Sequence, residues 1–140
     1  MKKYLFLALA LALILSACSA QATPESITGK TVPVDGGSYL NVTPAELKTM
    51  LDNKDFVFIN VHIPFAGNIA GNDLSIAYDQ IEQNLDKLPA DKTAKVVLYC
   101  RSGRMSAIAA ETLVKLGYTN IWNLDGGMVA WEQAGYEIQK

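Results

Sequence analysis

The chain has 140 residues and a mass of 15.2 kDa, with 50% of the residues hydrophobic and 19% charged, enough for one globular domain and too little for two. Ten Gly and five Pro exclude a fibrous or low-complexity chain, and the apolar content excludes intrinsic disorder. The formal charge is −2, or −4 (10 basic against 14 acidic residues) once Lys2 and Lys3 are set aside, and no Lys/Arg run follows them, so nucleic acid is excluded as a partner.

Lys2 and Lys3 precede an uncharged run, Tyr4 to Leu15. That layout of charged and apolar regions predicts an export signal, and the run is too short to span a bilayer. Leu15-Ser16-Ala17-Cys18 resembles the lipobox of bacterial lipoproteins, which implies cleavage before Cys18 and a diacylglyceryl group on its sulfur. Residues 1–17 are therefore expected to be a signal peptide, with Cys18 as the lipidated N-terminus. Several acyl chains hold a protein firmly on a membrane, so the expected location is the cell envelope, outside the cytoplasm. Ser19 is compatible with onward transport to an outer membrane where the organism has one. The polar stretch to Thr31, with Pro24 and Gly29, is expected to be a tether, making 18–31 anchor and linker and 32–140 the folded domain.

Within the domain, Thr43-Pro44-Ala45-Glu46 combines a capping box with Pro at the first helical position and predicts a helix to about Leu51. Phe56 to Val61 is a continuous apolar run, expected as a strand covered on both faces. A loop follows from His62 to about Asp73. Asp79 with Glu82 predicts a capped helix ending before Pro89. Lys95 to Tyr99 reads as a second buried strand that leads directly into Cys100. Met105, Ile108, Ala109, Thr112, Leu113 and Leu116 form one stripe at helical spacing, closed by Gly117. Asn120 to Leu124 is a further strand, and Gly126-Gly127 precedes a last short helix near Met128 to Gln133. This alternation predicts an α/β fold, a single domain with a mainly parallel central sheet flanked by helices. Ligands of such sheets bind beyond the carboxyl ends of the strands, where Cys100 stands.

The chemistry is expected in Cys100-Arg101-Ser102-Gly103-Arg104-Met105-Ser106, which joins a buried strand to a helix. The first backbone N–H groups of a helix are unpaired and carry the positive end of its dipole, so this loop is an anion cradle. A thiol held there, with Arg101 and Arg104 adding charge, is expected to react as the thiolate. Gly103 allows the turn. If Cys18 carries lipid, Cys100 is the one free thiol of an exported protein, where an unused thiol is a liability. The plain alternative is a buried strand-terminal Cys, and two arginines within four positions speak against it.

Taken together, Tyr99-Cys100-Arg101-Ser102-Gly103-Arg104-Met105-Ser106-Ala107 and Asn123-Leu124-Asp125-Gly126-Gly127-Met128-Val129-Ala130-Trp131 resemble the active loop and closing segment of the single-domain rhodaneses, over about Val42 to Ile138. The resemblance implies a sulfurtransferase. Cys100 would take sulfane sulfur from thiosulfate or a similar donor, hold it as a persulfide in the six-residue loop, and pass it to cyanide or a thiol, with no cofactor. Arg101 and Arg104 would attract anionic donors. The pattern departs from the family at one edge of the pocket. The usual aspartate, valine and arginine are here Asn60, Val61 and His62, and the usual histidine-isoleucine-proline-glycine is Asn68-Ile69-Ala70-Gly71.

The related phosphatases place five residues between Cys and a phosphate-binding Arg, a position occupied here by Ser106, so phosphate chemistry is disfavoured. Arsenate reduction meets the same objection. His62, the sole histidine, is a candidate pocket residue near the thiol, weighed against a partly exposed loop histidine, and no metal is expected from one free Cys and one His. The remaining alternatives are an exported persulfide carrier serving a protein thiol and a non-catalytic interaction module. Trp122, Trp131 and the tyrosines are expected in the core.

Overall fold

The computed structural model describes residues 26–140, so the expected signal peptide and Cys18 lie outside the described residues. A six-stranded sheet runs through the domain in the order β1-β2-β6-β5-β3-β4. Strands β1 (Lys30–Val34) and β2 (Gly37–Val42) form an antiparallel hairpin, and every other pairing is parallel. The others are β3 (Val57–Asn60), the two-residue β4 (Leu74–Ser75), β5 (Val96–Tyr99) and β6 (Ile121–Leu124). Helix α1 (Pro44–Asp52) and helix α3 (Gly127–Gln133) cover one face, and helix α2 (Arg104–Lys115) covers the other. Among the described residues no helix is long and apolar enough to cross a membrane.

The alternation of side chains along β5 decides where the reactive sulfur goes. Val97 and Tyr99 point to the α1/α3 face, among Phe58, Leu47, Leu124 and Trp131. Val96, Leu98 and then Cys100 belong to the opposite cluster, with Ala109, Ala110 and Leu113 of α2. All four residues of β5 are buried, as expected for a strand covered on both sides.

The capping box at Thr43 forms as expected. The Thr43 hydroxyl accepts from the Glu46 N–H at 3.2 Å and the Glu46 carboxylate accepts from the Thr43 N–H at 2.9 Å. The same carboxylate also accepts from the N–H groups of Thr28 and Gly29. Order therefore begins before Val32: β1 starts at Lys30, inside the stretch expected as tether, and pairs Lys30 with Asn41 and Thr31 with Leu40. Lys30, Thr31 and Pro33 are exposed, while Val32 and Val34 pack against the core, so a two-residue apolar alternation and backbone pairing together hold the strand.

Two further expectations are corrected. Between β4 and β5 the chain forms two 3₁₀ turns, Tyr78–Gln80 and Glu82–Lys87, rather than a capped α-helix, and neither Asp79 nor Glu82 caps them. Helix α2 buries Ser106, Ala109, Ala110, Leu113 and Val114, whereas Ile108 is 41% exposed. The buried face of α2 is thus centred on Ala109, Ala110, Leu113 and Val114, which leaves Ile108 of the expected stripe off the core.

Candidate active site

Three parallel strands end side by side and deliver the site. The registers Asn60↔Tyr99 and Leu98↔Asn123 set the carboxyl ends of β3, β5 and β6 at one edge. His62, Cys100 and Gly126-Gly127 follow those strands within a few residues. Residues 38 positions apart in the chain thus meet because their strands pair.

Cys100 is 1% exposed, and its Sγ accepts from the Gly103 N–H at 3.0 Å. The Ser106 hydroxyl lies 3.4 Å from Sγ and 3.2 Å from the Gly103 carbonyl oxygen, and it shares its proton between them. Gly103 adopts φ +92°, a left-handed conformation that turns the chain into α2 without a side-chain cap. The first-turn donors of α2, the N–H groups of Arg104, Met105 and Ser106, therefore have no capping side chain, and the positive end of the helix lies within a few residues of Cys100.

The other half of the loop is held from behind. Met128 N–H donates to the Cys100 carbonyl at 2.9 Å and Val129 N–H donates to the Arg101 carbonyl at 3.0 Å. With its carbonyls tied to the start of α3, the loop leaves its N–H groups free to turn toward the sulfur. This contact requires Gly127, at φ +59°, because a Cβ there would collide with the Cys100 carbonyl oxygen and lie 2.7 Å from the Arg101 carbonyl carbon. The Gly-Gly pair is thus a consequence of backbone packed on backbone.

A cleft of about 210 Å³ opens over the sulfur, lined by His62, Tyr78, Cys100, Arg101, Ser102, Arg104, Met105 and Ile108. All of the expected site residues except Gly103 and Ser106 line it, and those two bond to Sγ directly. Tyr78 and Ile108 are additions. No sequence pattern marked Tyr78, expected in the core; Ile108 was assigned to the helix stripe. Arg101 and Arg104 are exposed and form no ion pair among the described residues. His62 Nδ1 is enclosed without a hydrogen-bond partner, and burial followed by the Arg101 charge holds the imidazole below its usual pKa. Among the described residues no cluster of three or more His, Cys, Asp or Glu could hold a metal ion.

The departures from the family pattern form one network. Asn60, 2% exposed, donates through Nδ2 to the Gly67 carbonyl and to Asn68 Oδ1, each at 2.9 Å, while its Oδ1 accepts from the His62 N–H at 3.0 Å. An aspartate could not make the two donations. The Tyr99 hydroxyl in turn accepts from the Ile69 N–H at 3.1 Å and lies 3.3 Å from Asn68 Oδ1. Burial pushes this phenol up to about 12, against the pull of the Ile69 N–H, so it stays a neutral donor and acceptor. Asn60 and Asn68 are thus matched to each other, and together they fix the loop that carries His62.

The family model for the rhodanese-like domain matches residues 43–134. The chain belongs to this family. A sulfurtransferase from Allochromatium vinosum is 31% identical over 91 residues, which cover 64% of this chain and 83% of that protein. A tRNA uridine(34) hydroxylase from Erwinia tasmaniensis is 30% identical over 109 residues, and there the match spans only 31% of the relative. Among solved structures, a rhodanese-like domain protein from Staphylococcus aureus superposes with a TM-score of 0.58 at 30% identity, covering 71% of this chain and 98% of that one. The rhodanese-like domain and relatives named as sulfurtransferases support a sulfurtransferase kind of enzyme.

Proposed function

We propose that the protein moves sulfane sulfur from thiosulfate or a similar anionic donor to cyanide or a thiol through a persulfide on Cys100. The observation that carries this reading is Cys100 Sγ at the end of β5, 3.0 Å from the Gly103 N–H and beneath the open first turn of α2. The Cys100 thiolate attacks the sulfane sulfur of the donor. A new S–S bond forms, the donor's S–S bond breaks, and sulfite leaves with the electron pair. Negative charge on the new outer sulfur meets loop N–H groups that need no reorganisation, which is electrostatic stabilisation coupled to covalent catalysis. Arg101 and Arg104 raise the local concentration of anionic donor.

The test is thiocyanate formation from thiosulfate and cyanide, measured beside Cys100→Ser with intact-mass analysis. The expected result is turnover and a gain of about 32 Da, one sulfur atom, in the wild type and neither in the variant. A folded wild type that neither turns over nor gains sulfur would leave the loop as a binding cradle, the interaction-module alternative.

We propose further that the domain is tethered to the envelope through lipid on Cys18, which the apolar run and the Leu15–Cys18 motif support. Cys18→Ala is expected to release the protein from the membrane fraction. Retention there would overturn the anchor.

A further inference from the structure

The cleft contains a proton problem that the donor half of the reaction does not have. Thiosulfate needs only a thiolate on Cys100, but a thiol acceptor must lose its proton before its sulfur can attack. The groups around the cleft offer few places for that proton. Arg101 and Arg104 offer donors and no lone pair, the hydroxyls of Tyr78 and Ser102 are poor bases, and Cys100 is occupied by the persulfide. Among the described residues no carboxylate lines the cleft. His62 remains. Its Nδ1 is enclosed and unpaired, so Nε2 is the nitrogen left to meet a molecule in the cleft.

We infer that His62 is the general base of the acceptor half-reaction and adapts this site to thiol acceptors. The inference rests on the persulfide chemistry proposed above. The outer sulfur, left anionic by loading, first takes a proton from solvent; the acceptor R–SH then passes its own proton to His62 while its sulfur attacks the outer sulfur of the resulting Cys100–S–SH. The R–S bond to that sulfur forms, the Cys100 S–S bond breaks, and the electron pair stays on Cys100 Sγ as thiolate. The products are R–S–SH, the Cys100 thiolate and protonated His62, which returns its proton to solvent. Burial and the neighbouring Arg101 charge favour the neutral imidazole, so the base is ready near neutral pH and gives the proton up readily afterwards. The Asn60 amide, which accepts from the His62 N–H at 3.0 Å, holds the backbone of this residue in place.

The test separates the half-reactions in the full chain. Loading is followed by intact mass after thiosulfate. Unloading is followed with two acceptors, an alkyl thiol that is mostly protonated at pH 7 and 4-nitrobenzenethiolate, which is already ionised. His62→Gln is expected to lose on the order of 10²-fold more in transfer to the alkyl thiol than in loading or in transfer to the aryl thiolate. The wild-type profile for the alkyl thiol should carry an acid limb below the usual imidazole value, absent from His62→Gln. Free imidazole should restore part of the activity of His62→Ala. Equal losses with both acceptors, or no loss with either, would overturn the role of His62. Failure of the wild type to load at all would instead remove the persulfide chemistry beneath it, an outcome visible before any acceptor is added.

Discussion

The two loops that meet over the sulfur are built on different principles. The loop after β5 is made of backbone: Gly103 turns it, the Met128 and Val129 N–H groups hold its carbonyls, and Gly127 admits the contact. The loop after β3 is made of side-chain amides: Asn60 spans it from His62 to Gly67 and Asn68, and the Tyr99 hydroxyl closes it from below. A backbone cradle recognises charge on sulfur and tolerates little change. A wall built of side-chain amides depends on its partners instead, and here Asn60 and Asn68 answer each other.

The sharpest way to break this contrast is Gly127→Ala. It adds a left-handed residue and a clash with the Cys100 and Arg101 carbonyls, an expected cost of about 3 kcal/mol by urea unfolding. Surviving folded protein should fail to load sulfur, because the carbonyls no longer hold the cradle open. Asn60→Asp is the counterpart in the other loop. It leaves the Gly67 carbonyl and Asn68 without their donor in a buried setting, an expected loss of about 2 kcal/mol. Loading should survive, since Cys100 and α2 are untouched, and transfer to alkyl thiols should fall with the displaced His62. If both variants impair loading equally, the division between the loops is wrong.

Smaller effects refine it. Arg104→Gln should raise the KM for thiosulfate roughly 5-fold at low salt with kcat little changed, and added salt should bring the wild type toward the variant. Glu46 serves as the control far from both loops. Burial raises its carboxyl pKa, but the N–H groups of Thr43 and Gly29, the Thr43 hydroxyl and the Thr28 N–H outweigh it and leave the group below its usual 4.5. A carboxylate depressed in the folded state adds stability above its unfolded pKa and loses it as pH falls through the folded one. Wild type should therefore lose more stability than Glu46→Gln on acidification below about pH 4.5, by under about 1 kcal/mol, with sulfur transfer at pH 7 unchanged.

Legibility followed the same division. Cys100 to Ser106, the capping box at Thr43 and the strands around β5 were readable because each is a local pattern in consecutive residues. Tyr78 was not, because it enters the cleft from a 3₁₀ turn that carries no periodic signal. Ile108 was read as core because helical spacing cannot tell which edge of an apolar stripe the sheet will cover. The β1–β2 hairpin was missed because its outer strand is half-polar and held by backbone pairing.

By itself, then, the sequence determined the α/β class, the place of Cys100 at the end of β5 and the start of α2 just after it, since backbone conformation and helix starts are set by neighbours in the chain. Only the tertiary structure decided that His62 lines the same cleft as Cys100, that α3 ties down the loop's carbonyls and that Asn60 answers Asn68. Those contacts depend on strand register and on which face of a strand each side chain takes, and both are fixed by packing between residues far apart in the chain.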